Sequence, residues 1–152
     1  MNMFDTVRFV IDKNGTDNPE EILASQGVKV FYLPMSGLRG VYKALHNVPM
    51  VFVDSGLDDQ QRKFVLAHEL AHHLLHSGFN RVFLDRSTYL KTDKYEREAD
   101  LFAACFLHPF PKEYFHDGVT VKEISQTLGL DEPAAELYCD EFRKNTSHGC
   151  FK

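Results

Sequence analysis

Phe64-Val65-Leu66-Ala67-His68-Glu69-Leu70-Ala71-His72-His73-Leu74-Leu75-His76 is the stretch on which the reading of this chain turns. Phe64, Ala67, Ala71, Leu74 and Leu75 recur at helical spacing and form one apolar stripe. The pattern predicts a long helix from about Asp58 to Ser77, with Gly78 just past its end as a stop. His68 and His72 then stand one turn, roughly 5–6 Å, apart on one face, so two imidazoles can converge on one ion. Glu69 lies about 100° further round, where it can hold a water without being a ligand. The histidines fall at the edge of the apolar stripe and Glu69 a step further out, which puts the group on the lip of a buried face.

The five-residue pattern H-E-x-x-H occurs by chance in many helices, so its context has to carry the argument. A catalytic zinc takes three protein ligands and keeps one position open. His76 repeats the spacing but lies two turns, roughly 12 Å, from His68, too far for bonds of about 2.1 Å. His76 and His73 are therefore expected in an outer shell or on the surface. The longer pattern H-E-x-x-H-x-x-G-x-x-H fails, because its glycine would fall at Leu75 and its third histidine at Gly78.

A second strong helix is predicted from about Asp93 to Leu107, stopping at Pro109 and Pro111. Glu96, Ala99, Asp100, Ala103 and Leu107 share one of its faces. Two carboxylates in an otherwise small or apolar face need relief from a cation or a hydrogen-bonded histidine. Glu96 is therefore expected as the third ligand, with Asp100 accepting from a ligand imidazole N–H. The small Ala99 and Ala103 would let the two helices approach closely. Glu98 is the competing ligand, although it points roughly 160° away from Asp100 on the wheel.

Upstream, Asn18 as N-cap and Pro19 at the first position predict a short helix over Pro19–Ser25, ending near Gly27. Val28 to Leu33 reads as a strand, and Val41–Leu45 with Pro49–Val53 as an antiparallel hairpin around His46-Asn47-Val48. Phe79 to Asp93 is mixed in pattern. Two shorter helices, Val121–Leu128 and Pro133–Arg143, are separated by Gly129-Leu130-Asp131, and the tail from Asn145 is expected to fray. Within 152 residues this suggests a core over 1–110 and a helical extension over 111–152 packed on it, one compact domain overall.

With 43% hydrophobic and 26% charged residues the composition is that of a globular protein. A formal charge of −5 without any Lys/Arg block argues against direct nucleic-acid binding. Cys105, Cys139 and Cys150 form no C-x-x-C pair and fit a reducing compartment. The N-terminus has no signal-peptide pattern, and no run approaches the ~18 apolar residues of a spanning helix. The expectation is a cytoplasmic protein without membrane contact.

Phe64 to His72 followed by Leu75-His76, then Glu96-Arg97-Glu98-Ala99-Asp100-Leu101-Phe102-Ala103-Ala104, resembles the ImmA/IrrE metallopeptidases. Gly40-Val41-Tyr42 and Met50-Val51-Phe52-Val53-Asp54 match that family's hairpin leading into the metal helix, and the likeness runs from about Gly27 to Pro109. The resemblance implies an α+β, zincin-like minimal fold: a small twisted sheet, antiparallel in part, packed on an active-site helix and further helices. It implies His68, His72 and Glu96 as zinc ligands and Glu69 as general base. It also implies a partner, since members typically cleave or inactivate a helix-turn-helix repressor of a phage or mobile element, or act in stress responses. The 152 residues leave no room for the DNA-binding domain that longer relatives carry fused, so the repressor is expected to be a separate partner. Asp100 stands where Asn is frequent in the family, and His108-Pro109 where Met-Pro is frequent. Val121 to Leu130 is reminiscent of the start of a helix-turn-helix, but cations are sparse there. A helical pair that packs on the core or grips the partner is the expected reading.

Together these readings predict a zinc metallo-endopeptidase in which Glu69 moves the proton of the attacking water to the leaving amine. A second electrophile should stabilise the oxyanion, and Tyr42, His76, Tyr89, Arg97, His108, Tyr114 and His116 are the candidates. Manganese or iron in place of zinc stays open. The rival from another class is a non-proteolytic anti-repressor with a structural zinc, which would normally need a fourth ligand, often Cys. A second rival is a metal or redox sensor using a thiol such as Cys105.

Overall fold

The computed structural model describes residues 1–76 and 89–146. Its first element, α1 (Met3–Asn14), is not among the elements expected from the sequence. Asn2 caps it by accepting from the Asp5 N–H, Gly15 closes it in the left-handed conformation, and Phe4 and Val7 face inward. In α2 (Pro19–Ser25) the Asn18 side chain accepts from the N–H groups of both Glu20 and Glu21, as the cap reading requires.

Three strands follow: β1 (Lys29–Leu33), β2 (Gly40–Leu45) and β3 (Val48–Asp54). β2 and β3 form the expected antiparallel hairpin. His46 and Asn47 both have positive φ, the signature of the two-residue turn whose twist matches that of its strands. β3 is central and pairs with β1 in parallel, so the small sheet is mixed and β2 is one of its edges. Val51 and Val53 alternate onto the buried face and meet the helices.

Helix α3 (Asp59–His76) opens on a reciprocal cap. The Gln61 N–H donates to Asp58 Oδ1 at 2.8 Å, and the Asp58 N–H donates to Gln61 Oε1 at 3.2 Å. The predicted stop at Gly78 lies outside the described residues, as do most of the mixed stretch after it and Cys150. Helix α4 (Tyr89–Leu107) begins earlier than the expected Asp93. A 3-10 turn (Pro111–Glu113) leads to α5 (Val121–Leu128), capped by Thr120 and closed by Gly129 at φ 66°. Asp131 Oδ1 accepts from the Ala134 N–H at 2.9 Å and starts α6 (Glu132–Thr146), which runs past the expected Arg143 and through Asn145.

α3 lies between the sheet and α4. Its buried side is therefore wider than the predicted stripe: Val65, Leu66 and Leu70 are covered as well as Ala67 and Ala71. α1 and α6 pack on α4, and α5 packs on α6, so that Val7, Phe102, Ile124 and Tyr138 belong to one hydrophobic cluster. Hydrogen bonds tie the C-terminal helices to what precedes them, among them Tyr138 Oη to the His108 carbonyl at 2.7 Å, Gln60 Nε2 to the Leu128 carbonyl at 3.2 Å and the Met3 N–H to Glu141 Oε1 at 3.0 Å. The architecture is a small α+β fold. Among the described residues, no helix is long and apolar enough to cross a membrane.

Candidate metal centre

α3 and α4 bring three side chains together at their C-terminal and N-terminal halves respectively. His68 Nε2 and His72 Nε2 lie 3.1 Å apart. Glu96 closes the triangle, with Oε2 at 3.1 Å from His68 Nε2 and Oε1 at 2.9 Å from His72 Nε2. Among the described residues this is the one group of three or more His, Cys, Asp or Glu side chains whose ligand atoms converge for a metal, all within 4.8 Å of one another. In a tetrahedral zinc site with bonds of about 2.0–2.1 Å, ligand atoms stand roughly 3.3–3.4 Å apart. The triangle has nearly those dimensions, and two imidazole nitrogens with one carboxylate oxygen are a donor set suited to a borderline divalent ion.

Asp100 and Glu98 take different places. Asp100 Oδ1 is 2.8 Å from His68 Nδ1, the ring nitrogen turned away from the triangle. Glu98, the competing ligand in the sequence, contacts His76 instead, with Oε1 at 3.3 Å from Nε2. The expectation that the α4 carboxylates lie within a buried face is corrected: the Glu96 side chain is 50% exposed and that of Asp100 37%. Ala99 and Ala103 take the buried contact, and the longer acids reach the rim, where solvent lowers the cost of their charge.

Glu69 is a second correction. It is 4% exposed, not the outermost residue of the group, because the sheet covers this flank of α3. Gly40, at the start of β2, permits that burial. A Cβ at residue 40 would stand 3.2 Å from Glu69 Oε1 and 2.5 Å from Val65 Cγ1, so only glycine fits without displacement. Gly40 and Tyr42 alternate onto the same side of β2. Tyr42 is buried, and its hydroxyl is 2.9 Å from His73 Nδ1, one helical turn along α3 from Glu69. His73 thus joins the site's surroundings instead of the surface.

The electrostatics of the site favour positive charge at its centre. Burial alone would lower the pKa of His68, but the hydrogen bonds it donates to Asp100 and Glu96 and the nearby Glu69 charge raise it to about 10. Burial works against the Glu96 charge too, yet the His68 and His72 hydrogen bonds hold its carboxyl well below the usual carboxylate range. Burial and the neighbouring His72 lower the pKa of His76.

Of the remaining oxyanion candidates, His108 sits roughly 18 Å along α4 from Glu96, and Tyr114 packs against it with ring centroids 5.9 Å apart. His116 is at the surface beside Glu123. The Tyr89 side chain lies outside the described residues. Cys105 is fully buried and burial pushes its thiol up, which removes the basis for a reactive redox sensor at that position. The sequence reading missed the roles of Gly40 and of the His76–Glu98 contact. The glycine opening a strand before the metal helix was a signal for the first, and the i, i+4, i+8 run of histidines for the second.

Comparison with known proteins shows the family. The chain is 31% identical over 134 residues to "Uncharacterized immunity region protein 2" of Bacillus phage phi105, covering 86% of this chain and 85% of that protein. It is 29% identical over 98 residues to "Metallopeptidase ImmA" of Bacillus subtilis (strain 168), covering 64% of this chain and 58% of that protein. The sequence profile of the Peptidase M78 family, described as the IrrE N-terminal-like domain, matches residues 23–129, a span that holds all of α3 and α4. With that much of it matched, the chain belongs to the Peptidase M78, IrrE N-terminal-like family of metallopeptidases.

Proposed function

We propose that this protein is a zinc-dependent endopeptidase that cuts a partner protein, a helix-turn-helix transcriptional repressor of a phage or mobile element, and so relieves repression. The observation that carries the chemistry is the triangle of His68, His72 and Glu96 with buried Glu69 beside it. Three ligands, with no fourth in the group among the described residues, are what a catalytic zinc uses and a structural zinc does not. The partner rests on the likeness to a phage immunity region protein and on the family resemblance.

Zinc in such a site polarises the scissile carbonyl and makes water acidic enough to attack near neutral pH. The chain's own residues do the rest. Glu69, held between α3 and Gly40, takes the proton of the attacking water and delivers it to the leaving amide nitrogen. Asp100 fixes the ring of His68 through its outer nitrogen. Tyr42 is our choice of oxyanion donor: with His73 Nδ1–H donating to its oxygen, the phenol hydrogen is left to serve the oxyanion, on the flank of α3 that holds Glu69.

The test is to load the protein with zinc, add the helix-turn-helix repressor encoded beside it, and look for new peptide ends by mass spectrometry. Cleavage by the wild type, with Glu69→Gln binding zinc but leaving the repressor intact, is the expected result. Stoichiometric binding of the repressor without new ends would overturn the endopeptidase in favour of an anti-repressor.

A further inference from the structure

The last histidine of α3, His76, stands directly behind His72. His76 Nδ1 is 2.9 Å from His72 Nδ1, and His76 Nε2 is 3.3 Å from Glu98 Oε1. The His76 ring is 3% exposed and packs edge-on against Tyr95 with centroids 4.7 Å apart, so its plane is set by its surroundings. Glu98, by contrast, has a side chain 38% exposed.

Hydrogen-bond bookkeeping along this row gives the arrangement of protons that suits a metal at the triangle. An ionised carboxylate only accepts, so His76 Nε2 carries a hydrogen and donates it to Glu98. A neutral His76 then has its lone pair on Nδ1 and accepts from His72 Nδ1–H. With a metal at the triangle in place of the hydrogen that His72 Nε2 otherwise donates to Glu96, the lone pair of His72 would stand on Nε2, the atom at the vertex. At His68 the same tautomer is set in one step, because Asp100 accepts directly from Nδ1. The two imidazoles are thus prepared alike by different means. On the His72 side a neutral ring occupies the buried place, and the charge stands one residue further out, where it costs less.

We propose that His76 and Glu98 form a positioning relay that holds His72 in the metal-accepting tautomer and ring orientation. Neither residue touches the metal or the substrate. The proposal rests on the metal-centre reading above and deepens it, giving each histidine of α3 a defined task and each acid of Glu96-Arg97-Glu98-Ala99-Asp100 a defined histidine.

The experiment compares wild type, His76→Ala, Glu98→Ala and Glu98→Gln. Affinity for Zn2+ is read by competition with a chromophoric chelator, and ligand geometry from the visible spectrum of the Co2+-loaded protein. Loss of such an outer partner typically costs 10–100-fold in metal affinity. We expect about that loss in His76→Ala and a loss of roughly 10-fold in Glu98→Ala, both with altered cobalt bands. Glu98→Gln keeps an oxygen that accepts from His76 Nε2–H and should restore wild-type affinity and spectrum. Glu98 is at the surface, so its variants test the relay even where His76→Ala fails to fold. A wild type that binds metal, with Glu98→Ala matching it in both readouts, would overturn the relay alone. Glu98→Gln as impaired as Glu98→Ala would do the same, since charge and not hydrogen bonding would then be at work. A wild type that binds no metal would overturn the metal centre itself.

Discussion

Asp100 Oδ1 lies 2.8 Å from His68 Nδ1, so an acid from α4 grips the back of a ring whose front nitrogen faces Glu96 from the same helix. The two helices therefore set the site jointly: α3 contributes histidines a turn apart, and α4 contributes both a ligand oxygen and the group that aims a ligand. Removing the aim without removing the ligand should be measurable. Asp100→Ala is expected to weaken zinc binding about 10–100-fold. Asp100→Asn, which keeps an accepting oxygen, should lose far less. A chelator competition titration checks both, and equal losses in the two variants would contradict the hydrogen-bond role.

The metal-free protein should show an inverted response to pH. The pKa of His68 in the fold is about 10, above its ordinary 6.5. Its protonated form therefore stabilises the fold fully below about pH 6.5, and that stabilisation is lost as pH rises through about 10. Melting temperature of the metal-free protein should fall across this window, while the increase caused by added zinc should grow, because zinc replaces the proton. His68→Gln should flatten both trends. A metal-free melting temperature that rises from pH 6.5 to 10 would contradict the assignment.

Gly40→Ala should damage the protein from a position that touches no ligand. Its Cβ would come within 2.5 Å of Val65 Cγ1, a stiff and largely buried side chain, and 3.2 Å of Glu69 Oε1. Overpacking of this kind typically costs about 1–3 kcal/mol. Thermal unfolding should report that loss, and cleavage should fall further than stability explains because Glu69 is displaced. Wild-type stability and activity in Gly40→Ala would show that β2 does not confine Glu69.

Tyr42→Phe should keep its metal and lose rate. Removing one oxyanion donor costs about 10²–10³ in kcat. Unchanged cleavage of the repressor by Tyr42→Phe would return the oxyanion role to the other candidates.

Much of this was legible because local rules act alone in certain places. The Asn18-Pro19 cap, the His46-Asn47 turn and the Gly129 stop depend on a few adjacent residues, and the elements around them lie where expected. The convergence of His68, His72 and Glu96 follows from two helical periodicities once the helices are taken to pack through Ala99 and Ala103. What could not be read is what comes from a third element. A helical wheel sets Glu69 outward, but the wheel does not contain β2, whose arrival turns that outward flank into a buried one. Glu98 likewise faces away from Asp100 on the wheel, and only the path of α3 across α4 shows that His76 is waiting there. Helix α1 was readable in principle, since Asn2, Asp5 and Gly15 mark both its ends.

The central claim is a three-ligand zinc site, and zinc content after exhaustive dialysis tests it most directly. The account predicts about one zinc per wild-type chain and far less in both His72→Ala and Glu96→Ala. A wild type without zinc, or Glu96→Ala that retains it, would contradict the account.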